Sequence, residues 1–307
     1  LPSNSVLNCT IRKVLDMRAS TLLGIVLCMF LAFIACSSDS SVKNEQEPAA
    51  PDGDANNEQE PVADGGAVDI TGALFTNLDA NCATYANAYA SSVRDVQSGS
   101  SFAGDLTITV VGDKCIFATN AIPNHDFNDG GRFATPVSAQ NVSYEIPAIP
   151  TAAANVTPLV LGDDAIFLNG VKLDLLAAAC YDVGSEPLGR EKIGCGPDQT
   201  DNPWRYDPMS LLNNFGTDNN NAHTQPDGTY HYHGNPMAMF ETDCETTATA
   251  SPVIGFAADG LPIYGSCFDD NGTVRKAASS YRLKEDGGQR QAVASYTTPA
   301  GGQGDVA

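Results

Sequence analysis

The chain has 307 residues and a formal net charge of −21 at pH 7, since 37 acidic side chains outnumber 16 lysines and arginines. A negative field of this size repels nucleic acids and anionic membrane surfaces, so nucleic-acid binding is excluded, whereas cationic partners such as metal ions are favoured. The length suffices for one large domain or two small ones, each with a hydrophobic core.

An export signal is predicted at the N terminus. Basic residues precede Thr21–Ala35, an apolar run that is too short to span a membrane but typical of a signal sequence. The run ends at Phe33-Ile34-Ala35-Cys36, which resembles a bacterial lipobox, although leucine is usual at the position of Phe33. We therefore predict that residues 1–36 are a lipoprotein signal segment. Lipid on Cys36 would anchor the protein to a membrane of the cell envelope, on the periplasmic or the surface face of the outer membrane. An uncleaved anchor helix or an ordinary signal peptide is the alternative.

Residues 37–66 form the next segment, which is rich in serine, glutamate, aspartate, asparagine, proline and glycine and repeats Asn-Glu-Gln-Glu-Pro at 44–48 and 57–61. Such a composition buries too little apolar surface to offset the entropy lost on ordering. We therefore predict a disordered acidic tether between the lipid anchor and the rest of the chain.

Cysteine usage agrees with export. Six cysteines remain beyond Cys36, and an even number in an oxidising compartment predicts three disulfide bonds. Pairing of sequence neighbours closes the shortest loops and is the pairing we expect, although other connectivities stay open. The predicted pairs are Cys82 with Cys115, Cys180 with Cys195, and Cys244 with Cys267.

Residues 67–307 are predicted to form a single sandwich-like, mainly β domain. Apolar and polar residues alternate over Leu106–Val110, as in a half-buried strand. Asn169-Gly170 lies between two apolar runs and predicts a hairpin with a type I′ turn, and Asp259-Gly260 is a second hairpin candidate. Helical patterns are limited to a short segment over Met209–Asn214 and another near 77–92, so one or two short helices are expected.

The chain has four histidines, three of them between Asn221 and Gly234. Pro226, Asp227 and Gly228 suit a three-residue hairpin loop, with proline at its first position and glycine in the left-handed conformation. That loop places His223 directly opposite His231, with His233 two residues further along the same face. The two intervening tyrosines, Tyr230 and Tyr232, take the other face. A two-residue Asp-Gly turn would instead set His223 against Tyr232.

Three imidazoles on one face of a hairpin are a common set of ligands for copper or zinc, and they also suit nickel or iron. A fourth ligand could come from His125, Asp126 or Asp259. The competing interpretation is that the histidines are the polar face of an exposed hairpin or pack against the tyrosines.

The Tyr230–His233 segment (Tyr-His-Tyr-His) with Asn221-Ala-His223 upstream and Gly255–Gly265 downstream resembles the bacterial YHYH domain family. Thr119–Asp126 is similar to an earlier Asn-Gly-x-Pro-Asn-His segment of that family, and Ser279–Lys284 to a later one.

This resemblance spans roughly residues 105–285 and implies a secreted or envelope-associated domain, but no particular reaction. It also implies that His125 and Asp259 belong to the same site as the other three histidines, because both lie in family segments. Family members usually carry more ordered sequence after Ser279–Lys284. The loose segment from Gly287 to Ala307 departs from this pattern and allows the domain to be truncated at its C-terminal end.

Three functions follow from these observations, in this order of preference. The first is an envelope protein that binds copper or zinc through His223, His231 and His233, with His125 as fourth ligand, to store, deliver or sense the metal. The second is a metal-dependent enzyme on the same ligands, with Asp126 or Asp259 as base. The third is a structural or adhesive surface module without metal.

Overall fold

A computed structural model of the protein describes residues 66–130, 133–155, 162–175, 179–187, 202–209, 215–280 and 292–300. All of them belong to one compact unit, Gly66–Ala307. Within these ranges the fold consists of strands and one short 3₁₀ helix, Cys82–Tyr85. The strands are β1 (Val68–Asp69), β2 (Asn87–Arg94), β3 (Ser101–Val111), β4 (Lys114–Thr119), β5 (Val142–Pro147), β6 (Ala165–Phe167), β7 (Lys172–Leu173), β8 (Ala222–Thr224), β9 (Tyr230–Tyr232), β10 (Val253–Ala257), β11 (Pro262–Tyr264), β12 (Cys267–Asp270) and β13 (Thr273–Lys276).

The strands form two large sheets and a two-stranded ribbon. The first sheet has the order β1-β2-β3-β4-β5, in which β1 is parallel to β2 and the remaining neighbours are antiparallel. The second has the order β11-β10-β6-β7-β9-β8, with one parallel pair, β7 and β9. Strands β12 and β13 pair separately.

Both large sheets contribute to one hydrophobic core. Leu106, Ile108 and Phe117 of the first sheet are buried in the same cluster as Tyr232 and Phe256 of the second. The rings of Phe117 and Phe256 meet with their centroids 6.4 Å apart. The predicted sandwich-like, mainly β fold is therefore confirmed, because the apolar positions of both sheets face one shared interior.

Two of the predicted disulfide bonds are present among the described residues: Cys82–Cys115 and Cys244–Cys267. The first ties the 3₁₀ helix to β4, and the second ties a loop to the start of β12. Cys180 is also disulfide-bonded, whereas Cys195, the partner predicted for it, lies outside the described residues.

The short helix predicted near 77–92 is confirmed over only four of those residues. Only the 3₁₀ helix Cys82–Tyr85 forms there, and from Asn87 onwards the chain is strand β2. The reason is tertiary, because β2 pairs with β3 along its whole length, and this pairing outweighs the modest helical preference of its alanines. Of the second predicted helix, residues 210–214 lie outside the described residues.

Three hairpins share one kind of loop, in which a glycine with positive φ follows an asparagine or aspartate. The glycines are Gly170 (φ 81°), Gly228 (φ 86°) and Gly260 (φ 84°). In each loop the amide of the glycine donates to the carbonyl three residues earlier. The type I′ turn predicted at Asn169-Gly170 is therefore wrong, since Asn169 does not have positive φ, although the hairpin itself is confirmed.

No helix in the described part of the chain is long and apolar enough to cross a membrane.

Candidate metal centre

The hairpin formed by β8 and β9 carries the candidate site. His223 pairs directly with His231, as the three-residue loop predicts, and Ala222 pairs with Tyr232. Gln225 and Thr229 close the loop, with the amide of Gln225 donating to the Thr229 carbonyl over 2.9 Å. The register inferred from the sequence is confirmed.

A side chain is not tolerated at Gly228 in this loop. Besides the positive φ, a Cβ at Gly228 would lie 2.9 Å from the Pro136 carbonyl oxygen and would collide with the Ser138 hydroxyl. The loop therefore fits only glycine, and the fit against Pro136 and Ser138 holds the hairpin, and with it the register of the histidines, in place.

His223, His231 and His233, which we call the three-histidine cluster, meet at their Nε2 atoms. The Nε2 of His233 lies 3.0 Å from that of His231 and 3.0 Å from that of His223. Their ring centroids are 4.6–4.8 Å apart. Among the described residues this is the group that could hold a metal ion, with its ligand atoms all within 4.8 Å of one another.

The other ring nitrogen of each histidine faces a backbone carbonyl oxygen. The Nδ1 of His223 donates to the carbonyl of Phe215 over 2.8 Å, and that of His233 donates to the carbonyl of Asp174. The Nδ1 of His231 lies 3.3 Å from the carbonyl of Thr229. We therefore assign the hydrogen to Nδ1 in all three rings, which leaves each Nε2 with a lone pair directed at the other two.

Burial keeps the cluster uncharged. His231 and His233 are buried and His223 is partly buried. Desolvation lowers the pKa of His231 to about 2 and that of His233 to about 3, with the neighbouring histidines and Lys172 adding to the effect. Desolvation also lowers the pKa of His223. Neutral imidazoles are the form that binds metal, so no proton has to leave Nε2 first.

The tyrosines of β9 occupy its opposite face, in the core. The hydroxyl of Tyr230 donates to the Asp218 carboxylate over 2.9 Å. The hydroxyl of Tyr232 lies 2.6 Å from Nε2 of His125 and accepts from the side-chain amide of Asn169 over 2.9 Å. All five side chains are buried. Alternation along one strand thus separates a polar network in the core from the three-histidine cluster.

The structure does not bring His125 to the cluster. Its Nε2 contacts Tyr232 and its Nδ1 lies 2.8 Å from the carbonyl of Asp126, so both ring nitrogens are occupied on the far side of β9. The pKa of His125 is lowered by burial, and the ring acts as a neutral hydrogen-bonding group. His125 therefore does not belong to the three-histidine cluster, although the sequence suggested it as the fourth ligand.

The two aspartates considered as ligands or bases are also elsewhere. Asp259 is exposed in the β10–β11 loop, where its carboxylate accepts from the amide of Leu261 over 3.2 Å. Asp126 is exposed and accepts from the amide of Arg94 over 2.8 Å. Each holds a local turn or loop, and neither belongs to the three-histidine cluster.

Sequence reasoning missed the groups that orient the site. Phe215 and Asp174 act through backbone carbonyls, which no side-chain pattern can indicate. Asp218 and Asn221 could have been noticed in the sequence, because they are the first and last residues of the polar run Asp-Asn-Asn-Asn just before β8. Asn221 has positive φ (62°), its carbonyl accepts from the amide of His233, and its side chain donates to the carbonyl of Asn235.

The fold and site together define a disulfide-bonded, sandwich-like β domain with a cluster of three neutral histidines, two of them buried, on a hairpin. The YHYH protein family matches residues 143–305, more than half of the chain, and the chain belongs to that family. The match begins after the Thr119–Asp126 segment and extends beyond Ser279–Lys284. No curated protein and no solved structure matches the chain.

Proposed function

We propose that this protein is an exported, lipid-anchored envelope protein that binds one copper or zinc ion through the three-histidine cluster. The observation that carries the metal site is the convergence of three Nε2 lone pairs while every Nδ1 faces a carbonyl oxygen. The export signal and Cys36 support the location, because a lipobox-like sequence precedes a tether of acidic, disorder-prone composition.

The distances support coordination over simple packing. Two nitrogens bound at about 2.0–2.1 Å to one ion are about 2.8–3.4 Å apart when the angle at the ion is between a right angle and tetrahedral. The two 3.0 Å separations at His233 fall in that range. Without a cation, two lone pairs would face each other in a desolvated space, where unpaired polar groups are costly.

The choice between copper and zinc rests on donor chemistry. Imidazole binds both ions well, and copper(II) binds such sites more tightly than zinc. The net charge of −21 attracts either ion.

A metal-dependent enzyme is the second candidate. It is favoured by the number of ligands, because catalytic zinc and copper sites keep three protein ligands and an open position. His223 is only partly buried, which gives that position a path to solvent. Asp126 and Asp259 are not part of the cluster. Neither is therefore proposed as the catalytic base, although the sequence suggested both for that role.

The metal is tested by elemental analysis of the full chain purified after export to an oxidising compartment. The wild type is compared with His231→Ala/His233→Ala and with His125→Ala as the matched histidine control. We expect about one copper or zinc per chain in the wild type and in the control, and loss of metal from the double variant. Circular dichroism checks that each variant is folded. A wild type that takes up neither ion, or a folded double variant that keeps it, contradicts the site.

The anchor is tested separately by mass spectrometry of the mature N terminus. We expect a lipid-modified Cys36 and a membrane-bound protein, whereas Cys36→Ala should not be lipidated. An unmodified Cys36 in the mature wild-type protein would refute the anchor and leave the metal site unaffected.

A further inference from the structure

Two partly exposed methionines flank the chain just after His233. Three of the five methionines in the sequence lie in the described part of the chain: Met209, Met237 and Met239. Met239 is fully buried in the core, as expected for an apolar side chain. Met209 and Met237 keep 36% and 37% of their surface exposed. The exposure of Met209 and Met237 is therefore particular to these two positions, since a third methionine of the same domain is buried.

Met209 lies against Gly234, the residue after His233. A Cβ built on Gly234 would be 3.3 Å from the Met209 Sδ and 3.4 Å from its Cε, so the thioether rests on the bare backbone of this glycine. The amide of Met209 donates to the Asp207 carboxylate over 2.8 Å, which fixes the start of the side chain. The absence of a side chain at Gly234 thus makes room for a sulfur atom one residue from a metal ligand.

Met237 approaches the next residue. Its Sδ lies 3.6 Å from the side-chain nitrogen of Asn235, and the Asn235 carbonyl accepts from the side chain of Asn221 over 2.7 Å. Asn221 in turn accepts from the amide of His233 through its carbonyl. The two sulfur atoms therefore lie along the two residues that follow His233, and the same hydrogen bonds hold this segment and the histidine.

A thioether is a soft, neutral ligand that suits Cu(I). Methionine is not among the usual protein ligands of zinc, which are cysteine, histidine, aspartate and glutamate. We propose that Met209 and Met237 form a solvent-facing thioether site that captures Cu(I) and passes it to the three-histidine cluster. This inference rests on the proposed metal-binding function and specifies its metal as copper in the reduced state. The transfer is a ligand exchange: bonds from sulfur to Cu(I) break as bonds from Nε2 form, and no electron or proton moves.

The test uses anaerobic Cu(I) titration of the full chain against a chromophoric Cu(I) chelator, beside titration with Zn(II). The variants are Met209→Leu, Met237→Leu and the double Met209→Leu/Met237→Leu, with Met239→Leu as the matched control. Leucine preserves apolar volume and removes the sulfur. We expect the double variant to take up Cu(I) at least about tenfold more slowly or more weakly than the control, with unchanged Zn(II) binding at the histidines.

X-ray absorption of the His231→Ala/His233→Ala variant, which is expected to be metal-free as purified and is then loaded with added Cu(I), gives a second readout. In that variant we expect a first shell containing sulfur. Equal Cu(I) uptake by the double methionine variant and the control, or a sulfur-free shell in the histidine variant, would overturn the thioether site. A wild-type protein that binds neither Zn(II) nor copper would instead contradict the three-histidine cluster, so the two failures are distinguishable.

Discussion

Removing the hydroxyl of Tyr232 should destabilise the domain and leave the proposed metal binding unchanged. The side chain is fully buried, and its ring packs edge-on against Phe167 with centroids 5.2 Å apart. The change Tyr232→Phe keeps this ring contact. It removes one hydrogen bond to Nε2 of His125 and one from the side chain of Asn169.

The expected loss follows from these two partners. A buried polar group left without its partner costs about 1–3 kcal/mol. His125 loses the partner of its Nε2, whereas the Asn169 amide keeps a 3.2 Å bond to Asn124 and should cost less. We therefore expect a loss of about 2–4 kcal/mol, which lowers the melting temperature of a domain of this size by about 4–16 °C.

Thermal and denaturant unfolding of the wild type and Tyr232→Phe measure the effect, with Tyr264→Phe as the control. Tyr264 is 45% exposed, so its hydroxyl should contribute within about 0.5 kcal/mol. Because Tyr232 lies on the opposite face from the three-histidine cluster, metal content should not change. Equal stability of the two variants would refute the buried network, and loss of metal at unchanged stability would refute the separation of the two faces.

The metal-free protein should lose stability as the pH falls from about 7 to 5. Burial lowers the pKa of all four histidines, so the unfolded chain binds protons near pH 6.5 that the native state does not, at a cost of up to about 1.4 kcal/mol per pH unit per histidine. Denaturant unfolding at several pH values measures this, and an unfolding free energy independent of pH would contradict it. Cys82→Ala/Cys115→Ala opens a loop between residues 33 positions apart and should cost about 3–4 kcal/mol by urea denaturation, whereas an unchanged midpoint would show that the bond does not stabilise the native state. Gly228→Ala adds a Cβ at positive φ against the Pro136 carbonyl, so we expect a loss of at least about 1–2 kcal/mol and weaker metal binding by calorimetric titration. If Gly228→Ala binds metal as tightly as the wild type, the loop does not fix the histidine register.

The arrangement of the histidines on the hairpin could be predicted because it depends on residues that are close together in sequence. Pro226 and Gly228 determine the loop, the loop determines the register, and the register places His223 opposite His231. The period of two along β9 then separates the histidines from the tyrosines. Every step depends on residues within about a dozen positions of one another, where turn chemistry and strand geometry leave few alternatives.

The structure of residues 77–92 could not be predicted in this way. Their alanines and asparagines carry a weak local preference, and the pairing of Asn87–Arg94 with β3 decided the outcome. The same limit applies to His125, which the sequence suggested as a metal ligand because its segment, Thr119–Asp126, resembles one of the family. Its position depends on contacts with Tyr232, 107 residues away in sequence.

The sequence by itself determined the acidic charge and the family. It also predicted the pairing of Cys82 with Cys115 and of Cys244 with Cys267 and the register of the hairpin, which the structure confirms. Only the tertiary structure decided which groups complete the site. The carbonyls of Phe215 and Asp174 fix the histidine tautomers, and Tyr232 draws His125 into the core. The physical reason is that a turn is stabilised by neighbours in the chain, whereas burial and hydrogen bonding of a side chain depend on segments that meet only when the two sheets pack.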